Sequence, residues 1–197
     1  PGLAMIAASP RAWEAMQHAR MPRFYLDLVA HRHAATHGET PFTPAIGVVF
    51  QVDEGLRLMH EEGADAIFAR HEACAAASRA GLAALGFELL ADERHYSRTV
   101  TAAHVPDDLD WKAFNDGLKA RGLVVAGGQG KLKGRIFRLG HLGSVTLEEI
   151  LGARATMEAV SLEHGRAIEP GAAVAAAQRS ALATKGIFSM SVAGTTA

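Results

Sequence analysis

The sequence contains a single cysteine, Cys74, so no disulfide can form within the chain. Such sparing use of cysteine is typical of proteins in a reducing compartment, and we expect a cytoplasmic protein. A surplus of charge of one sign is also missing, since 20 basic residues balance 21 acidic ones and the net charge is −1. Nucleic acids and anionic membranes bind concentrated positive charge, so neither is an expected partner.

Long apolar runs and a conventional start are absent as well. No apolar stretch approaches the roughly 20 residues that a membrane-spanning helix needs. The first residues are Pro-Gly-Leu-Ala-Met-Ile, without an initiator methionine or a basic leader, so we expect a chain that begins inside a longer protein. Hydrophobic residues make up 49% of the 197 residues, which is enough to bury a core and predicts a folded chain.

The first third of the sequence is predicted to be mainly helical. An apolar run at residues 3–8 is typical of a short buried strand. Ser9 and Pro10 follow in the order of a helix cap and a first helical position. A second helix is predicted within residues 24–38, and the spacing of apolar residues predicts two longer helices that meet near Gly63.

The rest of the sequence alternates between strands and helices. One helix is predicted over residues 110–121, and Thr146 and Glu149 have the spacing of a capping box, which predicts the start of another. A last helix is expected after Pro170, followed by a loose tail from residue 184. Mixed elements of this kind predict an α/β or α+β fold. Strand-like runs occupy residues 87–90, 99–105, 123–126 and 135–139.

Arg138 is the first candidate for chemistry, because it lies in a strand-like run with apolar neighbours. A guanidinium in such a place is costly unless it meets an anion, and its paired N–H groups match a carboxylate. From the pattern alone, a substrate carboxylate and an Asp or Glu of this chain are equally good partners. The glycine-rich segment at residues 127–134 lacks the ending of a phosphate-binding P-loop, so a plain hairpin turn is the favoured interpretation.

Thr43 is the second candidate, in the segment Thr-Pro-Phe-Thr-Pro-Ala at residues 40–45. Two prolines so close together exclude a regular helix and impose an extended path. The hydroxyl and the nearby amides could hold a phosphate oxygen, although ordinary turn chemistry is the more common explanation of such a loop.

Other residues resemble functional sites but have simpler interpretations. His31, His33 and His37 do not form a predicted metal site, because zinc needs further ligands and an ordered surrounding shell, and a solvated polar face is the favoured reading. Cys74 lies in an alanine-rich helix and is interpreted as a small core residue. The lysines of the glycine-rich segment are interpreted as solvated.

Four segments together resemble the class V aminotransferases that depend on pyridoxal phosphate (PLP), in particular the alanine–glyoxylate and serine–pyruvate group. They occur in the family's order and spacing, and the resemblance covers about residues 1–165. The segments are residues 1–6, which resemble the stretch just after the PLP lysine, and residues 24–27, 40–45 and 127–143.

The resemblance assigns roles to three residues. Arg138 is implied to bind the substrate carboxylate. Thr43 is implied to bind the cofactor phosphate of the partner subunit in a homodimer. Thr40 is grouped with Thr43 as a cofactor ligand, at a position where the family often has a tyrosine.

The resemblance also implies an architecture, the α/β fold of PLP-dependent transferases of fold type I. Residues 1–62 would be the C-terminal remainder of the large PLP-binding domain and a connecting helix. Residues 63–165 would be the small α+β C-terminal domain with an antiparallel sheet, and residues 166–197 a terminal helix and loose tail.

The resemblance implies transfer of an amino group between alanine, serine or aspartate and a keto acid such as glyoxylate or pyruvate. The family's PLP lysine belongs to a Ser-Gln-Lys motif that would lie upstream of Pro1, so this chain is expected to be inactive alone and offers no catalytic residue of its own. A class V lyase or desulfurase and a truncated, non-catalytic interaction module remain alternatives.

Overall fold

The structure of the protein is a computed structural model that describes residues 2–184. The chain divides into two compact units, Pro1–Glu61 and Glu62–Ala197. Among the helices of the described residues, none combines the length and apolar character that crossing a bilayer requires. The loose tail predicted from residue 184 lies almost wholly outside the described residues, which end at that position.

The first helix of the first unit, α1 (Pro10–Gln17), begins as the sequence predicts. The Ser9 hydroxyl accepts a hydrogen bond from the Ala12 amide, and Pro10 takes the first helical position. Proline is favoured there because its missing N–H would have no partner inside the helix. The local sequence therefore sets this helix start.

The second helix, α2 (Leu28–Ala35), begins later than residue 24, where it was predicted. The Asp27 carboxylate accepts the Val29 amide and caps the helix at that point, leaving the preceding residues as turns. The third helix, α3 (Ile46–Glu62), follows the Pro-Phe-Thr-Pro loop and runs to the boundary between the units.

The buried strand predicted at residues 3–8 is wrong. These residues lie in no strand and are largely exposed, and none of residues 2–61 is buried. A strand satisfies its backbone N–H and C=O groups on a neighbouring strand, and the described part of this unit offers none. An apolar run alone therefore did not determine a strand.

The second unit combines a small sheet with helices, so the predicted α/β class with an antiparallel sheet is confirmed. The three strands have the order β1-β3-β2, and both pairs are antiparallel. The central strand is therefore the last of the three in the chain. The elements are α4 (Ala64–Ala84), β1 (Val100–His104), α5 (Trp111–Ala120), β2 (Ala126–Gly127), β3 (Ile136–Gly140), α6 (Leu147–Glu163) and α7 (Ala172–Ala183), with short 3-10 turns at Glu93–His95 and Gly130–Leu132.

Two of the predicted strands are shorter than expected. Residues 87–90 contribute a single bridge between Leu89 and Ala103, although they exchange further backbone hydrogen bonds with β1. The strand predicted at residues 123–126 is reduced to β2, which begins at Ala126. Strand pairing depends on partners far away in the chain, so the apolar runs alone predicted longer strands than the structure contains.

Aromatic side chains fill the core between the sheet and its helices. The rings of Phe87 and Phe137 meet edge to face with centroids 5.2 Å apart, and Phe87 also lies 5.8 Å from Phe114 of α5. Trp111 stacks on Phe137 at 5.3 Å. A second cluster joins α4, α6 and α7 and includes Cys74, which is fully buried as predicted for a core residue.

The last two helices are joined by a buried carboxylate. Glu158 of α6 accepts the Gly171 amide at 2.6 Å and the Ala173 amide at 2.8 Å, which caps the start of α7 from another helix. One turn earlier, Arg154 is fully buried, and none of its guanidinium nitrogens has a partner among the described residues. Burial lowers the pKa of Arg154 to about 10.

Candidate active site

The central strand β3 places Arg138 on the open face of the sheet. Its neighbours Phe137 and Leu139 are buried in the core, and side chains alternate along a strand, so Arg138 points the opposite way. The residues paired with it are Ala102 of β1 and Ala126 of β2. Because both partners are small, nothing bulky on the adjoining strands covers the guanidinium.

The guanidinium of Arg138 is oriented by a backbone carbonyl. Its Nε and Nη2 atoms donate to the carbonyl oxygen of Gly127 at 3.2 and 3.0 Å. No carboxylate among residues 2–184 lies within 4.0 Å of it, so the ion pair considered from the sequence is not formed in that part of the chain. The other N–H groups remain available to an anion.

The glycine-rich segment forms the tight turn that supplies this carbonyl. The Gly128 amide donates to the Ile136 carbonyl at 3.0 Å, and a 3-10 turn over Gly130–Leu132 returns the chain to β3. The turn packs so closely on itself that Gly128 has no room for a side chain. The glycine is thus required by the turn's own backbone, which agrees with the plain hairpin interpretation.

His141 lies just past the end of β3 and is fully buried. Its Nδ1 is 3.2 Å from the Arg98 carbonyl oxygen, and its Nε2 is 2.8 Å from the Thr101 hydroxyl. A carbonyl only accepts, so Nδ1 carries the proton; in the neutral ring Nε2 then accepts from Thr101. Burial lowers the pKa of His141 to about 4, which keeps the ring neutral.

The sequence analysis gave His141 no role. Its partners are about 40 residues away in the chain, and no local pattern connects them. The available signal was its position three residues after Arg138, just beyond the end of the same strand-like run.

The loop that carries Thr43 lies in the first unit and is anchored by Phe42. The ring of Phe42 lies 4.9 Å from Tyr25 and 5.3 Å from Phe24, centroid to centroid. The Thr40 hydroxyl donates to the Phe42 carbonyl at 2.6 Å. The Thr43 side chain is exposed and makes no hydrogen bond within residues 2–184.

Other candidates from the sequence have ordinary surroundings. No group of three or more potential metal ligands occurs among residues 2–184, and His33 and His37 simply pack their rings together at 5.2 Å. The lysines Lys131 and Lys133 are exposed in the glycine-rich turn. Burial raises the pKa of the Cys74 thiol, which makes this cysteine a poor nucleophile.

No protein-family profile matches the sequence. Among curated proteins, the small subunit of a soluble hydrogenase from Synechococcus sp. (strain PCC 6716) is 43% identical over 91% of this chain and 47% of its own length. The L-aspartate–glyoxylate aminotransferase of Paracoccus denitrificans (strain Pd 1222) is 35% identical over 90% of this chain and 46% of its own length. The chain thus spans about half the length of the curated relatives it matches.

A solved structure has the same fold. The pyridoxamine–pyruvate aminotransferase from Mesorhizobium loti matches with a TM-score of 0.80 and 31% identity, over 87% of this chain and 45% of that one. The α/β fold with its small antiparallel sheet is therefore that of a PLP-dependent aminotransferase. More narrowly, the chain belongs to the class V aminotransferases, and its coverage is consistent with the predicted C-terminal part of such a protein.

Proposed function

We propose that the whole protein is a PLP-dependent transaminase of the cytoplasm, acting as a homodimer. It transfers an amino group between a small amino acid, such as alanine, serine or aspartate, and glyoxylate or pyruvate. The observation that carries the proposal is Arg138, whose guanidinium is held by the Gly127 carbonyl on an open sheet face without a carboxylate of the described chain beside it. All these substrates carry the carboxylate that such a group binds.

Arg138 acts by positioning. Two charge-assisted hydrogen bonds to the substrate carboxylate fix the orientation of the adjoining Cα, so the bond that must break is presented in one direction. The Gly127 carbonyl restricts the rotation of the guanidinium before substrate arrives. The chain thereby contributes orientation to the reaction, which is a large component of enzymatic rate enhancement.

The loop at residues 40–45 fits the phosphate of the cofactor through Thr43. The Thr43 hydroxyl is exposed and free to donate, and it lies three residues before the start of α3, whose N-terminal amides attract anions. Thr40 fits less well, because its proton is already donated to Phe42 and phosphate oxygens require donors. The bound cofactor would supply the electron sink for amino transfer.

The lysine that such chemistry requires is assigned to a part of the protein outside this chain, so the 197-residue chain alone does not turn over in this proposal. The desulfurase alternative receives no support, because it needs a mobile thiolate and Cys74 is buried in α4.

The test compares this chain with the same chain extended upstream through the predicted Ser-Gln-Lys motif. Both samples are examined for the visible absorbance of bound PLP and for conversion of alanine and glyoxylate. Only the extended protein is expected to bind PLP in this way and to transaminate. An extended protein that takes up no PLP would show that the proposed activity is wrong. A start codon directly before the Pro1 codon in the genomic sequence would favour the interaction module.

Arg138→Ala in the extended protein tests the carboxylate role. Truncating one partner of such a charge-assisted pair is expected to lower kcat/KM about 100-fold or more, with little change in PLP binding. Arg135→Ala is the matched control, because Arg135 is an exposed arginine at the start of the same segment. Equal losses in the two variants would contradict a specific role for Arg138.

A further inference from the structure

We infer that His141 is a positioning residue for Arg138: it fixes the register of β3 against residues 98–101 and so keeps the guanidinium on the open face. The inference rests on the role proposed for Arg138. Its basis is the set of three hydrogen bonds that His141 makes to the segment leading into β1.

The three bonds come from different atoms of His141. Its backbone amide donates to the Thr99 carbonyl at 2.8 Å, which extends the pairing of the two strands past Gly140. Its Nδ1 donates to the Arg98 carbonyl, and its Nε2 accepts from the Thr101 hydroxyl. One residue therefore contacts three positions of the neighbouring segment at once.

Strand register decides where Arg138 points. Side chains alternate along a strand, so a slip of one residue would turn Arg138 into the aromatic core and bring a core residue to the surface. The other partner of β3 gives little protection, since β2 pairs with it over two residues only. Gly140, the last residue of β3, has no side chain that could hold the end of the strand in one register.

His141 supplies that lock because its bonds are compatible with one register only. The ring is fully buried, so each bond is shielded from competing water, and a displaced ring would leave two buried nitrogens without partners. The neutral ring is also supported by its surroundings, since burial and the nearby cations Arg79 and Arg154 all disfavour protonation. The ring therefore stays neutral across neutral pH, and the Arg98 carbonyl, which can only accept, keeps its proton on Nδ1.

The test uses the protein extended upstream through the predicted Ser-Gln-Lys motif and carrying Thr101→Val, which removes the hydroxyl while keeping the side-chain shape. Thr101→Ser restores a hydroxyl and should restore wild-type behaviour. Thr99→Val is the matched control, because Thr99 is an exposed neighbour whose hydroxyl contacts Ser97 and not His141. Folding of each variant is followed by thermal unfolding.

Two NMR signals report on the protonation of the His141 ring and on the position of the Arg138 guanidinium. The ¹⁵N shifts of the His141 ring should show a protonated Nδ1 and an accepting Nε2. The Arg138 Nε–H resonance should move in Thr101→Val and stay in place in the other two variants. In a pyruvate titration followed at that resonance, Thr101→Val should weaken binding about two- to tenfold, the effect of one lost hydrogen bond.

Two outcomes overturn the inference. If the His141 ring of the unaltered protein is protonated on Nε2 instead of Nδ1, the inference is wrong. A Thr101→Val chain that is less stable, yet leaves the Arg138 resonance where Thr99→Val leaves it, shows a merely structural role. A separate outcome concerns the proposed function. If pyruvate does not perturb Arg138 in the unaltered extended protein, the carboxylate role is wrong, and the Arg138 resonance in the three variants still decides the role of His141.

Discussion

Gly128 approaches Leu132 so closely that a Cβ atom on Gly128 would lie 2.0 Å from the Leu132 carbonyl oxygen. The neighbouring Gly127 has nothing within 4 Å of its own Cβ position. Two adjacent glycines therefore have different reasons to be present. Gly128 lets the turn close, whereas Gly127 contributes the carbonyl that orients Arg138.

Gly128→Ala should destabilise the chain by about 2 kcal/mol or more, because the obstructing atom is backbone and cannot rotate away. Gly127→Ala should change stability by about 0.5 kcal/mol or less. Denaturant unfolding of the two variants measures the difference. If both variants unfold like the unaltered chain, the turn is looser than the structure describes.

His141 should make stability depend on pH. Its folded pKa of about 4 lies below its ordinary value of 6.5, so between these pH values the unfolded chain binds more protons. Stability is therefore fully present above about pH 6.5 and is lost as the pH falls towards 4, by about 2 kcal/mol. The His141→Gln variant should lack this pH-dependent part of the stability. Denaturant unfolding of the unaltered chain and of His141→Gln at pH 7 and 4.5 tests the prediction. Equal losses of stability in the two proteins would contradict it.

Arg154→Met should stabilise the chain by about 1 kcal/mol or more. The guanidinium is buried without a partner in the described residues, which is costly, and methionine fills a similar volume beside Gly81 without a charge. Arg179→Met on the exposed face of α7 is the control and should be close to neutral. A lower melting temperature for Arg154→Met would show that the guanidinium has partners supplied by solvent or ions.

The first unit should bind hydrophobic dyes and promote self-association of the 197-residue chain. Large apolar side chains such as Phe24, Leu26 and Phe50 are at least 70% exposed there. Leu26→Gln combined with Phe50→Gln should reduce dye fluorescence and association in analytical ultracentrifugation. A monomeric, cooperatively melting chain that binds no dye would contradict the prediction.

Local signals were sufficient to predict the starts of α1 and α6. Ser9 with Pro10 and Thr146 with Glu149 each place cap and partner within a few residues, and the structure shows both caps, including the reciprocal bonds of the capping box. The prediction of a strand at residues 3–8 failed for the opposite reason. Strand formation depends on a partner far away in the chain, which an apolar run does not reveal.

The candidate site also has parts that the sequence predicts and parts that it does not. Arg138 was singled out because an arginine between apolar residues of a strand-like run is visible in the sequence. The carbonyl that orients it, 11 residues earlier, and the buried ring of His141 depend on how turns and strands meet. Those contacts are tertiary, and only the folded chain shows them.

The carboxylate of Glu158 has a consequence for the order of folding. The amides of Gly171 and Ala173 find their acceptor on α6, so α7 lacks a complete first turn until α6 is in place. Because α6 precedes α7 in the chain, the carboxylate is already present when α7 is made, and α7 should form and dock onto α6 in one step. A chain that ends before residue 171 would leave the Glu158 carboxylate without both of its amide donors, so that carboxylate would have to remain in contact with water.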